Sequence, residues 1–186
     1  AVFGNHNLNN LEGARWICLE MGVQEEEFYE AISSFTGAGK RLELIGSRGK
    51  SRIFKDFAHA PSKVSATVKA VKDQFKDHKV TAVLELHTFS SLTPEFIVGY
   101  KGAMDAADEA IVYFNPEAVA HKKLEPLSED IVKEAFGNDA IKVTTESDSI
   151  FNNLKVNFGD KEVLLIMTSG NFHGKNLEHE AQGILS

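Results

Sequence analysis

The chain has 186 residues, 42% of them apolar and 25% charged, with a formal net charge of −7; this reads as a globular chain long enough to bury one sizeable core. The negative charge leaves no basic footprint for nucleic acid or an anionic membrane surface, although local arginines and helix dipoles can still hold small anions. Cys18 is the single cysteine, so no intrachain disulfide can form; no apolar run is long enough to span a bilayer and no signal peptide is visible, which points to a cytoplasmic protein.

Residues 1–10, AVFGNHNLNN, begin without methionine and run like a strand end into a glycine and asparagines, as expected of a piece of a longer protein. The spacing predicts helices over 11–21 and 24–35, the second with Phe28, Ile32 and Phe35 on one face and a solvated acidic start at 25–27. TGAGK, residues 36–40, is a glycine break and the candidate domain boundary. Two β-type runs follow, 41–45 and 52–57, with SRGK between them as the turn of an antiparallel hairpin.

Strands and helices then alternate. A helix is expected over 62–75, a strand over 79–86, a helix over 94–107 and a strand over 109–114. His121, Lys122 and Lys123 read as exposed charges in a long loop. A helix over 128–136 closes at Gly137, and strand 140–144, helix 147–158, strand 162–167 and a polar, glycine-bearing tail complete the chain. VTAVLEL, EAIVYF and EVLLIM are almost continuously apolar, as central strands covered on both faces are. The expected fold is α/β: a Rossmann-like, doubly wound, mostly parallel sheet with an N-terminal antiparallel hairpin, preceded by a short helical unit.

This order puts the loops after Phe57, Leu86, Phe114 and Met167 on one edge of the sheet, where open α/β sheets bind ligands. The stretch KDFAHAPSKV carries Asp56 and His59 from a strand into a helix opened by Pro61; taken alone, it is equally an ordinary turn with solvated side chains. Asn7 and Asn10 are amides that can orient a phosphate or cap the following helix. Arg41, beside Lys40 after a glycine turn, can reach phosphate or ribose, or simply line a solvated hairpin edge. His6, His59 and His87 match no zinc spacing, so no metal site is expected. There is neither a nucleophile elbow nor a GxxxxGK[ST] loop, and no residue is assigned a catalytic role.

Three motifs, in order, resemble the Mur ligase family, the ATP-dependent ligases of bacterial cell-wall precursors. GNHNLNN resembles the Gly-x-His-Asn-x-x-Asn segment near the end of the family's central ATP-binding domain. FTGAGKRLE resembles the Phe-x-Gly-x-x-x-Arg-x-Glu segment at the domain junction, and KDFAHAP the Asp-Tyr/Phe-Ala/Gly-His-x-Pro segment that opens the C-terminal domain. The resemblance covers essentially the whole chain and implies that residues 1–36 end the central domain and 37–186 form the C-terminal one. LHTFSSLTPEF resembles a segment of the ligases that use UDP-N-acetylmuramate. LLIMTSGNFHGKNLE resembles the murein peptide ligase subgroup, which joins L-alanyl-γ-D-glutamyl-meso-diaminopimelate to that nucleotide in peptidoglycan recycling. Ala60, Lys55, Leu86 and Ser91 depart from the patterns, standing where histidine, aspartate, proline and arginine are usual.

The resemblance implies a reaction in which ATP converts a carboxylate to an acyl phosphate and an incoming amine displaces phosphate. It implies that Asn7 and Asn10 line the ATP site, that Arg41 and Asp56 hold the nucleotide, and that His59 sits beside them. His87, Thr88, Ser90, Ser169, Asn171 and Phe172 would face the incoming peptide. The implied cofactors are ATP and Mg2+; the phosphate-binding loop and the magnesium ligands are expected upstream, in other domains of the same protein, so the chain alone is expected to lack ligase activity. The competing expectations are an alanine-adding muramate ligase and a noncatalytic α/β binding module.

Overall fold

The computed structural model describes residues 3–35 and 37–186. Residues 1 and 2 of the expected strand end, and Thr36 of the glycine break, lie outside the described residues.

Two helices come first, α1 (Asn5–Glu20) and α2 (Glu25–Ser33). The first starts six residues before the expected position, because Gly4, not an asparagine, occupies its N-cap. Gly4 has φ 89°, and a Cβ there would lie 2.7 Å from the Cβ of Ala70, so no other residue fits without strain. Asn7 and Asn10 therefore lie inside α1, and Asn7 Nδ2 donates back to the Phe3 carbonyl at 3.0 Å. The acidic start of α2 has a further use: Glu27 accepts from the Gln24 N–H at 2.9 Å, half of a capping box. Phe3 anchors α1 to the rest of the chain, its ring meeting Phe54 and Phe75 edge-on at 5.7 and 6.0 Å.

The hairpin follows as β1 (Glu43–Arg48) and β2 (Ser51–Asp56). From there come α3 (Pro61–Gln74), β3 (Lys79–Leu86), α4 (Pro94–Ile97), β4 (Glu109–Phe114), α5 (Pro116–His121), α6 (Glu129–Phe136), β5 (Lys142–Thr144), α7 (Ser147–Asn157), β6 (Glu162–Met167) and α8 (Leu177–Leu185). The strands form one sheet in the order β1-β2-β6-β3-β4-β5. Only the β1–β2 pair is antiparallel; the other four pairings are parallel. The doubly wound sheet with an edge hairpin is thus present.

Alternation along the strands divides the core. Val80, Ala82 and Leu84 of β3 face the side covered by α3, α4 and α6, where Val64, Val68, Ile97 and Phe136 are buried. Val83 faces the other side with Ile53, Leu164 and Ile166, beneath α7 and α8.

Three expectations are corrected. The helix expected over 94–107 stops at Ile97, passes through a 3-10 turn at Val98–Tyr100 and opens at Gly102 with φ 72°. The loop after β4 contains α5, because Asn115 accepts from the Glu117 N–H at 2.8 Å and Pro116 opens the turn. The tail is helical: Asn176 caps α8, whose Leu177, Ala181 and Ile184 close the second face of the sheet.

Candidate nucleotide cleft and rim

The C-terminal ends of β2, β6, β3 and β4 share one edge, as parallel pairing requires. At its β2 end the chain turns twice through left-handed backbone. Lys40 and Leu42, flanking Arg41, have φ 58° and 46°, a conformation that costs a non-glycine residue about 1 kcal/mol or more. The surroundings over-determine it. Asp56 Oδ2 accepts from the Leu42 N–H at 2.7 Å, the Lys40 carbonyl accepts from the Phe57 N–H at 2.9 Å, and Glu43 accepts from the Lys40 N–H at 2.8 Å. The second carboxylate oxygen of Asp56 accepts from the Ala58 N–H at 2.7 Å. Asp56 is 4% exposed, and burial raises its pKa above 3.8 against the pull of those two N–H groups, Arg41 and His6.

This turn and α3 face α1 and α2 across a cleft of about 660 Å3. Asn7 and Asn10 enter it from α1, Arg41 and Asp56 from the turn, and Lys63 from α3; Phe3, Leu11, Ile32 and Phe35 supply apolar wall. His6 joins them. Its pKa falls below 6.5, first because burial penalises the imidazolium and then because Lys63 and Arg41 are near, with Asp56 opposing. The volume, the apolar wall and the cations suit a nucleotide. Four residues singled out from the sequence, Asn7, Asn10, Arg41 and Asp56, thus share one cleft. His59 stays behind it: Nδ1 lies 2.9 Å from the Phe57 carbonyl, and the His59 carbonyl accepts from the buried Tyr100 hydroxyl. His59 meets the Phe57 ring edge-on at 5.1 Å, and the Arg41 guanidinium lies 6.0 Å from the same ring.

On the other side of Asp56 the rim holds a pocket of about 100 Å3, lined by Ser169, Asn171, Lys40, Lys55 and Lys175 among others. Asn171 Oδ1 accepts from the Gly174 N–H at 2.9 Å, and the Ser169 hydroxyl is buried without a hydrogen-bond partner among the described residues. His87 stands at the next strand end, against Gly170: a Cβ on Gly170 would come within 2.6 Å of the His87 ring. Thr88 and Ser90 use much of their bonding capacity within their own loop, Thr88 Oγ1 accepting from the Ser91 N–H at 3.2 Å. Phe172 corrects the expectation made of it. Its ring is fully buried, stacked on Tyr113 at 5.4 Å and edge-on to Phe151 at 5.5 Å, so it fastens the loop and offers nothing to a ligand.

Among known proteins, the family described as "Mur ligase, glutamate ligase domain" matches residues 40–170. The chain belongs to the Mur ligase family. A UDP-N-acetylmuramate–L-alanine ligase of Desulfitobacterium hafniense is 34% identical over 111 residues, covering 60% of this chain and 24% of that protein. The corresponding ligase of Chlorobaculum parvum is 29% identical over 174 residues, 91% of this chain and 37% of that protein. The chain spans well under half the length of these relatives. In fold it is similar to the UDP-N-acetylmuramate–alanine ligase of Thermotoga maritima (TM-score 0.74, 16% identity, 99% of this chain and 38% of that one). It is likewise similar to a murein peptide ligase of Psychrobacter arcticus (TM-score 0.69, 22% identity, 100% and 38%).

Within this Mur ligase chain, no group of three or more His, Cys, Asp or Glu side chains among the described residues could share a cation. No donor set for Mg2+ is therefore assigned to these residues. The sequence reading missed Glu85. It lies in β3, is 3% exposed, and accepts from the Phe172 N–H at 3.1 Å and from the Thr168 hydroxyl; His87 Nδ1 is 3.7 Å away. A glutamate inside the apolar run VTAVLEL was the available signal, since a buried carboxylate needs partners.

Proposed function

We propose that this chain is the nucleotide-closing and acceptor-binding part of an ATP-dependent carboxylate–amine ligase that extends UDP-N-acetylmuramate with a small peptide. The observation that carries this reading is the position of Asp56, which lines both the cleft and the lysine-bearing pocket. A nucleotide and an incoming amine would thus be held on two sides of one rigid turn, and such a ligation depends on holding reactants in register. ATP, when bound, supplies the phosphoryl group that activates the carboxylate. The chain's own contribution is positional. Arg41 offers a guanidinium to phosphate or ribose from a backbone fixed by Asp56; Asn7 and Asn10 offer neutral amides from the facing helix; His6, with its lowered pKa, adds a neutral imidazole near neutral pH. Residues 1–36 act as the end of the central ATP-binding domain and 37–186 as the C-terminal domain. Activity belongs to the longer protein, and the chain alone is inactive in this reading.

For the acceptor we favour L-alanyl-γ-D-glutamyl-meso-diaminopimelate, on the strength of the LLIMTSGNFHGKNLE segment and the polar pocket that its Ser169, Asn171 and Lys175 help to line. A second reading, L-alanine, is favoured by the relatives, which are named UDP-N-acetylmuramate–L-alanine ligases. ATP-dependent phosphate release by the full-length protein, supplied with UDP-N-acetylmuramate and either acceptor, decides between them. Turnover with the tripeptide and not with alanine is expected. Turnover with alanine alone would replace the first reading by the second, and silence with both would leave a binding module.

A further inference from the structure

Glu85 is a buried carboxylate near the end of an apolar strand, and no lysine or arginine pairs with it among the described residues. A well-packed apolar residue in that place would spare the fold the desolvation of a charge. Its bonds divide unevenly between its two oxygens. Oε2 accepts from the Thr168 hydroxyl, and that hydroxyl accepts in turn from the Gly170 N–H at 2.7 Å. The Phe172 N–H is shared, 3.1 Å from each oxygen. Oε1 is left with that half-share, and it faces Nδ1 of His87 at 3.7 Å. This is longer than a hydrogen bond but close enough for the buried charge to orient an N–H dipole. Gly170 makes room for the meeting. A Cβ there would lie 2.6 and 2.7 Å from Cγ and Nδ1 of His87, and 2.8 Å from Oε2 of Glu85. The Cγ–Nδ1 side of the ring is therefore turned in toward carboxylate and backbone, while 42% of the side chain is exposed at the rim. A neutral imidazole carries one proton, and the nitrogen that faces an acceptor keeps it.

We propose that Glu85 is a positioning residue of the ligation: it keeps the proton of neutral His87 on Nδ1, so that Nε2 offers its lone pair to an N–H of the incoming amine. The inference rests on the ligase reading given above and holds for either acceptor, since both bring an amine. An amine attacks through its own lone pair, so its N–H groups must point away from the electrophile. An acceptor that takes one of them fixes the direction of attack. With the proton on Nε2, the same ring would donate toward the nucleophilic lone pair and hold it back. Glu85 acts through the ring and touches no substrate. Because the Thr168 hydroxyl and the Phe172 N–H bind the same carboxylate, the ring at the end of β3 and the loop after β6 are held in one register.

Glu85→Gln separates this role from a structural one. The amide oxygen takes the place of Oε2, where the Thr168 hydroxyl and the Phe172 N–H both find an acceptor, and the amide nitrogen takes the place of Oε1. An N–H then faces Nδ1, which becomes the acceptor, and the ring proton moves to Nε2. Heteronuclear NMR of the full-length protein carrying isotope-labelled histidine reads the tautomer at about pH 8.5, above the ordinary imidazole range. His87→Gln assigns the signal. The proton is expected on Nδ1 in the parent and on Nε2 in Glu85→Gln. In ATP-dependent phosphate release with UDP-N-acetylmuramate and either acceptor, kcat of Glu85→Gln is expected to fall roughly tenfold, the worth of one hydrogen bond in the transition state. KM for ATP should stay within about twofold. His87→Gln should lose at least as much, and the double variant no more than His87→Gln alone. Losses that multiply in the double variant, a parent with its proton on Nε2, or a tautomer that Glu85→Gln leaves unchanged would overturn the proposal. The tautomers are read without turnover. A protein silent with both acceptors yet showing the expected switch would sink the ligase reading and leave the Glu85–His87 pairing standing.

Discussion

Asp56 shows how a residue picked out for ligand chemistry can have a structural task as well. Its two carboxylate oxygens already accept from the Leu42 and Ala58 N–H groups, at 2.7 Å each. The first of those bonds holds Leu42, one of the two left-handed residues that flank Arg41. Asp56→Ala leaves two donors without partners in a buried place and is expected to destabilise the chain by roughly 2–3 kcal/mol. Asp56→Asn keeps one acceptor and turns an amide donor toward the other N–H, so about half that loss is expected. Urea unfolding at neutral pH measures both. An alanine variant as stable as its parent would mean that the 40–42 turn stands without Asp56. The aspartate was legible in KDFAHAP; its bond to Leu42 was not, because those residues are 14 apart and meet only when β1 pairs with β2. Asn7 and Asn10 show the reverse: their residue types were informative and their places were not, since Gly4 took the cap and drew them into α1.

At the scale of elements, what could be read from the sequence were the runs whose burial is uniform. EVLLIM and VTAVLEL occupy the centre of the sheet because nothing polar interrupts one face of either for long. Short helices started by local side-chain bonds, α5 by Asn115 and α8 by Asn176, lay below what periodicity detects over six to nine residues. Glu85, like the bond from Leu42 to Asp56, is a long-range feature. It joins the ends of β3 and β6, fastening Phe172 and Thr168 of one loop below His87 of the next. Glu85→Ala removes the acceptor of the buried Phe172 N–H and is expected to cost on the order of 2 kcal/mol, with faster hydrogen exchange at the Phe172 amide. Glu85→Gln retains one acceptor oxygen and should lie between parent and alanine in both measures. Unchanged exchange at Phe172 in Glu85→Ala would mean that the aromatic stack with Tyr113 and Phe151 holds the loop by itself.

For the whole molecule these local environments combine into a pH profile. His6 has its pKa below 6.5, with burial as the leading cause, so protonation favours the unfolded chain and stability falls as pH drops through 6.5. Glu109 lies below 4.5, led by its bond from Lys142. In Asp108 burial pulls upward, but bonds from Lys72 and the Val80 N–H outweigh it and leave the pKa below 3.8. The contribution of these two carboxylates is present above their ordinary values and is lost as pH falls through the lower, folded ones. Asp56 runs the other way: its pKa is raised by burial, so its contribution favours the folded chain at low pH and is lost as pH rises through the folded value. The expected profile is a first decline in unfolding midpoint as pH passes 6.5 and a second below 4.5, the second blunted by Asp56. The Asp108 side chain is 40% exposed, so its share of the second decline should shrink in high salt. His6→Gln should abolish the first decline and leave the second. If the His6→Gln profile instead follows its parent through pH 6.5, the imidazole in the cleft is not what senses the proton, and burial of His6 as a brake on its protonation must be given up.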